Sequence, residues 1–305
     1  MSLQRLVIAT RRSRLALWQA EHVKARLEHF HRGIQVELLP MSTRGDELLD
    51  RRLDQAGGKG LFVKELESAM ADGRADLAVH SMKDVPAELP PGFVLAAISA
   101  REDPRDAFLS NRFAALGDMP PGAVLGTSSL RRAAQVRERY PALEVTLLRG
   151  NVDTRVAKLD RGEYDAIVLA VAGLVRLGLA GRIRSYLSLE ESLPAPGQGA
   201  LGIECLASRS EVVHLLATLG DADTARCVQA ERAVSRALGG SCALPLGAYA
   251  EARGGRVSLS ALIASADGRR VLRTQAEGSD PEKVGAAAAQ ALRDQGADAI
   301  LQSLA

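Results

Sequence analysis

The sequence predicts an α/β protein of two lobes followed by a small α+β domain. Three observations predict it. Short aliphatic runs alternate with helix-period stretches through roughly the first two hundred residues. The alternation occurs twice, once before and once after the turn-rich stretch Ser99 to Arg105. The last third changes rhythm, from one long helix to alternating strands. At 305 residues the chain is about twice a typical domain, which accommodates two or three compact units.

In the first lobe the strand candidates are Leu6 to Ala9, Val36 to Met41, Ala75 to His80 and Phe93 to Ile98. Ala16, Ala20, Val23, Leu27 and Phe30 step by four or three and predict a helix, and Leu61, with Leu66 and Ala69 beside Glu65, marks a second. In the second lobe the strands are Ala123 to Gly126, Glu144 to Leu148 and Asp165 to Ala170, with a helix from Leu130 to Arg139. Strand–helix–strand repetition implies parallel sheets with right-handed crossovers. Leu193 to Gly199, LPAPGQG, breaks the pattern before the apolar run Ala200 to Cys205. If that run returns to the first sheet, two connections join the lobes. Beyond it come a helix from Ala222 to Leu238, the loop Gly239 to Pro245, strands at Gly247 to Glu251, Val257 to Ser265 and Arg270 to Glu277, and an Ala-rich helix opening at Pro281.

Composition narrows the class. The chain is 47% hydrophobic and 25% charged, ordinary globular values, and no run approaches the ~18 apolar residues of a membrane span. The apolar run at Leu6 to Ala9 is too short for a secretory segment of roughly 7–15 residues, so a cytoplasmic protein is expected. Cys205, Cys227 and Cys242 form neither pairs nor a C-x-x-C clip, so neither a disulfide framework nor a metal site is expected. A net charge of +2 is too small to imply a polyanion partner, but only six of the 39 basic residues are lysines.

Ligands of open α/β sheets bind beyond the carboxyl ends of the strands, so the turns there carry the functional content. The first offers Thr10, Arg11, Arg12 and Ser13, with Ser13 as a helix N-cap. The second offers Ser42, Thr43, Arg44, Gly45 and Asp46, and later Gly57 to Gly60. The third offers Ser81, Met82, Lys83 and Asp84. The second lobe adds Thr127, Ser128 and Ser129 before Arg131 and Arg132, and Arg149, Gly150 and Asn151 before Arg155. Hydroxyls, helix N-termini and guanidinium groups are the parts of an anion site. GGKG lacks P-loop spacing and no G-x-G-x-x-G follows a strand, which disfavours nucleotides. Planar guanidinium forks match carboxylates, so a cluster of them suits a ligand bearing several.

Two further residues stand out. Cys227 lies on a helical face with Ala230, Val234 and Leu238, and Cys205 in an apolar strand; both read as core thiols. Cys242 instead follows Gly239, Gly240 and Ser241 in a loop closed by Pro245, a setting compatible with either an incidental or a reactive thiol. Asp84 is either a solvated acid paired with Lys83 or a carboxylate at the mouth of a basic cleft, able to exchange protons with a bound amine.

These segments carry a family resemblance. RRSRLALWQA (Arg11 to Ala20), GGKGLFVKELE (Gly57 to Glu67), VHSMKDVP (Val79 to Pro86), REDPRDAF (Arg101 to Phe108), GTSSLRR (Gly126 to Arg132), LRGNVDTR (Leu148 to Arg155), LPAPGQGA (Leu193 to Ala200) and GGSCALPLGAYA (Gly239 to Ala250) resemble the motif series of porphobilinogen deaminases, in order and over nearly the whole chain. The resemblance implies two lobes similar to those of type II periplasmic binding proteins, joined by a double crossover: residues 1–99 completed by 200–218, and 105–193. A third domain, 222–305, would carry a dipyrromethane cofactor through a thioether to Cys242. The implied activity is deamination and head-to-tail polymerisation of four porphobilinogen molecules, with hydrolytic release of hydroxymethylbilane.

The resemblance also implies roles. Asp84 matches the catalytic carboxylate. Lys83, Asp84, Thr127, Ser129, Arg131, Arg132, Arg149, Gly150 and Arg155 match positions that hold the cofactor and growing chain. Arg11, Ser13, Gln19, Arg149, Arg155 and Arg176 match those that receive substrate carboxylates, and Lys59 and Phe62 match a lid. A monomer without nucleic-acid or membrane partners is implied. Arg12 and Arg14 depart from the pattern by adding charge beside Arg11, and Asp153 by standing where it could compete for Arg155. A solute-binding module would share the arginine-lined cleft, but the absent signal segment and the cysteine loop argue against it. A nucleic-acid binder is disfavoured by the near-neutral charge and the lack of aromatic side chains beside the arginines.

Overall fold

The computed structural model describes residues 4–43, 63–239 and 244–304. They divide into two compact units: residues 1–102 with 200–225, and residues 103–199 with 226–305. The sheets explain why the first unit needs two distant pieces of chain.

The first unit is built on a five-stranded sheet in the order β2-β1-β3-β10-β4. Its strands are β1 (Arg5–Arg11), β2 (Gln35–Met41), β3 (Leu77–Ser81), β4 (Phe93–Ile98) and β10 (Leu201–Leu206). Helix α1 (Arg14–Phe30) links β1 to β2, capped by Ser13, whose side chain accepts from the Ala16 N–H. Ala16, Ala20, Val23 and Leu27 are buried as the spacing predicts, but Phe30 is 48% exposed. It ends the helix, and the Arg26 guanidinium lies over its ring. Helix α2 (Lys64–Ala71) precedes β3 and buries Leu66, Ala69 and Met70. After β10 comes α6 (Ser210–Leu216), whose Val212 and Leu216 join β1, β3 and β10 in one core.

The second unit repeats the plan in the order β7-β6-β8-β5-β9. Its strands are β5 (Asp106–Leu109), β6 (Val124–Gly126), β7 (Glu144–Thr146), β8 (Ala166–Ala170) and β9 (Ser185–Tyr186). Helix α3 (Leu130–Arg139) follows β6, α4 (Val152–Asp160) follows β7 and α5 (Val171–Arg176) follows β8. The C-terminal segment of this unit is a three-stranded antiparallel sheet of β11 (Leu246–Arg253), β12 (Arg256–Ala264) and β13 (Val271–Gly278). Helices α7 (Ala222–Ala237), α8 (Pro281–Asp294) and α9 (Ala297–Leu304) accompany it, and their apolar faces close one core with the sheet. Gly285 permits the approach of α8 to α7, because a Cβ there would lie 2.4 Å from the Ala230 carbonyl.

One expectation needs correction: neither large sheet is wholly parallel. In the first, β10 runs antiparallel to β3 and β4; in the second, β5 runs antiparallel to β8 and β9. Both are the strands that follow a passage between the units, so each enters its sheet without a crossover helix to reverse it. Ala200 to Cys205 does return to the first sheet, and two connections join the lobes as expected. Strands β5 and β9 lie outside the sequence reading, β5 because Pro104 and its charged neighbours read as a turn. Among the described residues, no helix is long and apolar enough to cross a membrane.

Candidate functional site

Each large sheet has a topological switch point. From β1 the chain steps to β2 on one side and then to β3 on the other; from β6 it steps to β7 and then to β8. Crevices open where neighbouring strands send their connections to opposite sides. The parallel registers Ile8↔Leu77 and Ala9↔Ala78, and Leu125↔Ala166 and Gly126↔Ile167, put the carboxyl ends of each such pair side by side.

At the switch point of the first unit, β1 ends in the turn carrying Arg11, Arg12 and Ser13, and β3 ends in a 3-10 turn, Met82–Asp84. Met82 is buried and anchors that turn, Lys83 is half-buried, and Asp84 is exposed. Arg11 is half-buried whereas Arg12 and Arg14 are exposed, which separates the three. Gln19 is only 2% exposed, and its Nε2 donates to Ser81 Oγ at 2.8 Å. It ties α1 to the end of β3.

Beneath this turn lies a buried polar group that the sequence reading missed. His80 Nε2 lies 2.9 Å from Glu204 Oε2, with side chains 5% and 0% exposed. Glu67 on α2 is also buried. Burial, reinforced by Glu204 and partly opposed by His80, raises the Glu67 carboxyl above its ordinary range. The available signal was Glu204 itself, an acid inside an apolar strand, which demands a partner.

At the switch point of the second unit, Ser129 caps α3 by accepting from the Arg132 N–H, and Thr127 Oγ1 accepts from the Ser129 N–H. Arg131 and Arg132 do not extend from the turn as free forks. Their side chains are 3% and 7% exposed, and both meet Asp106 on β5, at 2.8 and 2.7 Å. Asp106 is fully buried and also accepts from Ser192 Oγ at 2.7 Å and Gln198 Nε2 at 2.9 Å. Burial alone would push this carboxyl up; the attraction of Arg131 and Arg132, with hydrogen bonds from Arg132 and Ser192, holds it well below the usual carboxylate range. Arg131 also donates to the Leu193 carbonyl at 2.6 Å, and Arg132 to that of Val168 at 3.2 Å. The Nε atoms of both are buried with no hydrogen-bond partner among the described residues.

Beyond β7, Arg149, Gly150 and Arg155 are half-buried. Gly150 has φ of 112°, and a Cβ there would meet Thr154 Cγ2 at 2.8 Å. Its carbonyl accepts from Arg155 Nε at 2.7 Å, and that of Arg149 from Lys158 Nζ at 3.2 Å. Arg176, at the end of α5, is 8% exposed and donates to the Gly199 carbonyl at 2.6 Å.

Cys205 and Cys227 are core thiols, as expected; burial pushes the Cys205 thiol up to about 11. Cys242, Lys59 and Phe62 lie outside the described residues.

Fold and turns together define a class: a two-unit α/β protein with hydroxyl, guanidinium and carboxylate groups gathered at the switch points of its sheets. Comparison with known proteins then gives the family. Residues 6–214 match the porphobilinogen deaminase, dipyromethane cofactor binding domain, and residues 225–294 the porphobilinogen deaminase C-terminal domain. The chain is 62% identical to the porphobilinogen deaminase of Thiobacillus denitrificans over 98% of both chains. It is 60% identical to that of Burkholderia thailandensis over 98% of this chain and 92% of that one. The chain belongs to the porphobilinogen deaminase family. Among solved structures, the methionine binding protein MetQ aligns with 72% of this chain and 91% of its own at 12% identity and a TM-score of 0.47. The strand orders above, not that likeness, carry the fold assignment.

Proposed function

We propose that this chain performs the reaction of its family, the deamination and head-to-tail joining of four porphobilinogen molecules with release of hydroxymethylbilane, and that Asp84 is its catalytic carboxylate. The observation that carries the reading is the place of Asp84: an exposed acid on a short turn anchored by buried Met82, at the end of β3, which runs parallel to and beside the strand that leads into the Arg11–Ser13 turn. A carboxyl group there can give its proton to the departing amine, stabilise as the resulting carboxylate the positive charge that develops on the pyrrole as ammonia leaves, and take a proton back afterwards. Arg11, Ser13, Arg149 and Arg155 receive the substrate's acetate and propionate groups. Gln19 and Arg176, held by their bonds to Ser81 and the Gly199 carbonyl, receive them as well.

The donors at the second switch point fit an acidic cofactor. The hydroxyls of Thr127 and Ser129 accept backbone N–H groups and retain O–H groups to donate, and the Nε atoms of Arg131 and Arg132 lack partners among the described residues. Together with Lys83, Asp84, Arg149, Gly150 and Arg155 they would hold a dipyrromethane. When bound, that group supplies the nucleophilic pyrrole carbon to which substrate units are added. Cys242 would be its covalent attachment point, and Lys59 and Phe62 would close over the substrate. Three domains, 1–99 with 200–218, 105–193 and 222–305, a monomeric state and a cytoplasmic location without nucleic-acid partners complete the reading.

The test is single-turnover ammonia release by protein whose intact mass includes two linked pyrroles. Asp84→Asn keeps size and fold but cannot titrate, so release should slow by about 10²–10⁴-fold, while Asp84→Glu should be impaired less. Near-normal release by loaded Asp84→Asn would place the essential carboxylate elsewhere. Cys242→Ala should lose the added mass, and its retention would refute the attachment.

A further inference from the structure

The least expected feature of the second unit is the carboxylate buried between Arg131 and Arg132. Two guanidinium groups and one carboxylate leave a net positive charge inside the protein, although a buried ion pair is rarely a stability gain over apolar packing. The arrangement calls for a reason beyond stability. Asp106 accepts from every group set around it: both arginines, Ser192 and Gln198. Gln198 Nε2 donates at the same time to the Pro104 carbonyl at 2.6 Å, and Arg131 to the Leu193 carbonyl. One carboxylate thus joins the segment where the chain enters the second unit, the segment where it leaves, and the N-terminal turn of α3.

We propose that Asp106 is a positioning residue, an internal counter-ion that fixes the forks of Arg131 and Arg132 in the orientation in which they take up the acidic cofactor. This rests on the reading of those arginines as cofactor-holding. A guanidinium has a planar, fixed set of donors, and its aim is set by whichever acceptor holds one edge. Asp106 engages an Nη2 of each arginine, and backbone carbonyls an Nη1 of each. Both Nε edges are left without a hydrogen-bond partner among the described residues, on the helix whose N-terminal turn also carries the Thr127 and Ser129 hydroxyls. Without Asp106 the two like charges repel, and each fork loses the acceptor that sets its plane.

The test compares cofactor content with folding. Asp106→Asn, Asp106→Glu, Ser192→Ala, Gln198→Leu and Arg132→Leu are made in the full chain, and intact mass after incubation with porphobilinogen is read on samples matched for folded fraction by circular dichroism. Asp106→Asn should load at least tenfold more slowly than the parent at equal folded fraction, with Asp106→Glu partly restoring loading because the charge returns one methylene displaced. Should Asp106→Asn fail to fold, Ser192→Ala and Gln198→Leu decide: each removes one hydrogen bond to Asp106, and each should slow loading severalfold while folded. Folded variants that load at the parent's rate would overturn the proposal, as would a loading defect that vanishes once folded fractions are matched. If Arg132→Leu is poorly loaded while the Asp106 and Ser192 variants load normally, only the positioning role fails. If Arg132→Leu itself loads fully, the underlying reading of the arginines fails.

Discussion

Single residues show how burial changes what a charge means. Asp106 and Glu67 are both buried acids, yet they shift in opposite directions: two guanidinium groups outweigh burial at Asp106, whereas burial, reinforced by Glu204, prevails at Glu67. For Glu67 the folded-state pKa lies above the unfolded value of about 4.3, so the folded state binds more protons across that window. Stability is therefore lost as pH rises from about 4.3 through the raised pKa. Glu67→Gln should flatten this limb and raise Tm at pH 7.5, where folding the parent costs either burial of an anion or uptake of a proton from solvent. Thermal melts of parent and variant between pH 4 and 8 check it; parallel curves would mean that Glu67 is already solvated. For Asp106 the sign is reversed: its contribution is fully present above the unfolded value of about 3.9 and is lost progressively as pH falls from there through the depressed folded-state pKa.

At the scale of elements, the strand-end turns owe their shape to few residues. Ser13 and Ser129 cap the helices that leave the two switch points, and Gly150 shapes the turn before α4. A side chain at Gly150 faces two penalties, a φ of 112° that L-residues rarely adopt and a 2.8 Å approach to Thr154 Cγ2. Gly150→Ala should cost about 1–3 kcal/mol and displace the carbonyl that fixes Arg155. Adding Thr154→Ser removes the methyl at 2.8 Å but leaves the Cβ at 2.9 Å and the backbone strain, so Tm should recover only in part. Full recovery would show that crowding alone required the glycine. These turns were legible because their residue types, Ser before a helix and Gly before Asn, have local physical causes. The buried polar partners were not: nothing local says that Arg132 meets Asp106, 26 positions earlier, or that His80 meets Glu204, 124 positions later.

For the whole molecule, the decisive fact is that β10 lies between β3 and β4 though it follows them by about a hundred residues of chain. Leu201, Ile203, Cys205, Val212 and Leu216 belong to the core that β1 and β3 build. A chain ending at Gly199 would leave β3 and β4 with unpaired edges and the core short of these side chains. Such a fragment should lack the cooperative unfolding transition of the first unit and be cut readily within residues 4–43 under limited proteolysis. Protection of that segment in the fragment would show that the first unit closes without β10.

The sequence by itself determined most elements, the two passages between lobes, the arginine- and hydroxyl-bearing turns and, through its motif series, the family. Those properties are carried by periodicity, capping and spacing along the chain, which act over a few residues. Only the tertiary structure decided the direction of β5 and β10 within their sheets and the pairing of Arg131 and Arg132 with a buried acid. Strand direction depends on how a long connection returns, and the partner of a buried charge depends on which distant strand lies beside it. Both are set by the packing of segments far apart in sequence, where local pattern carries no information.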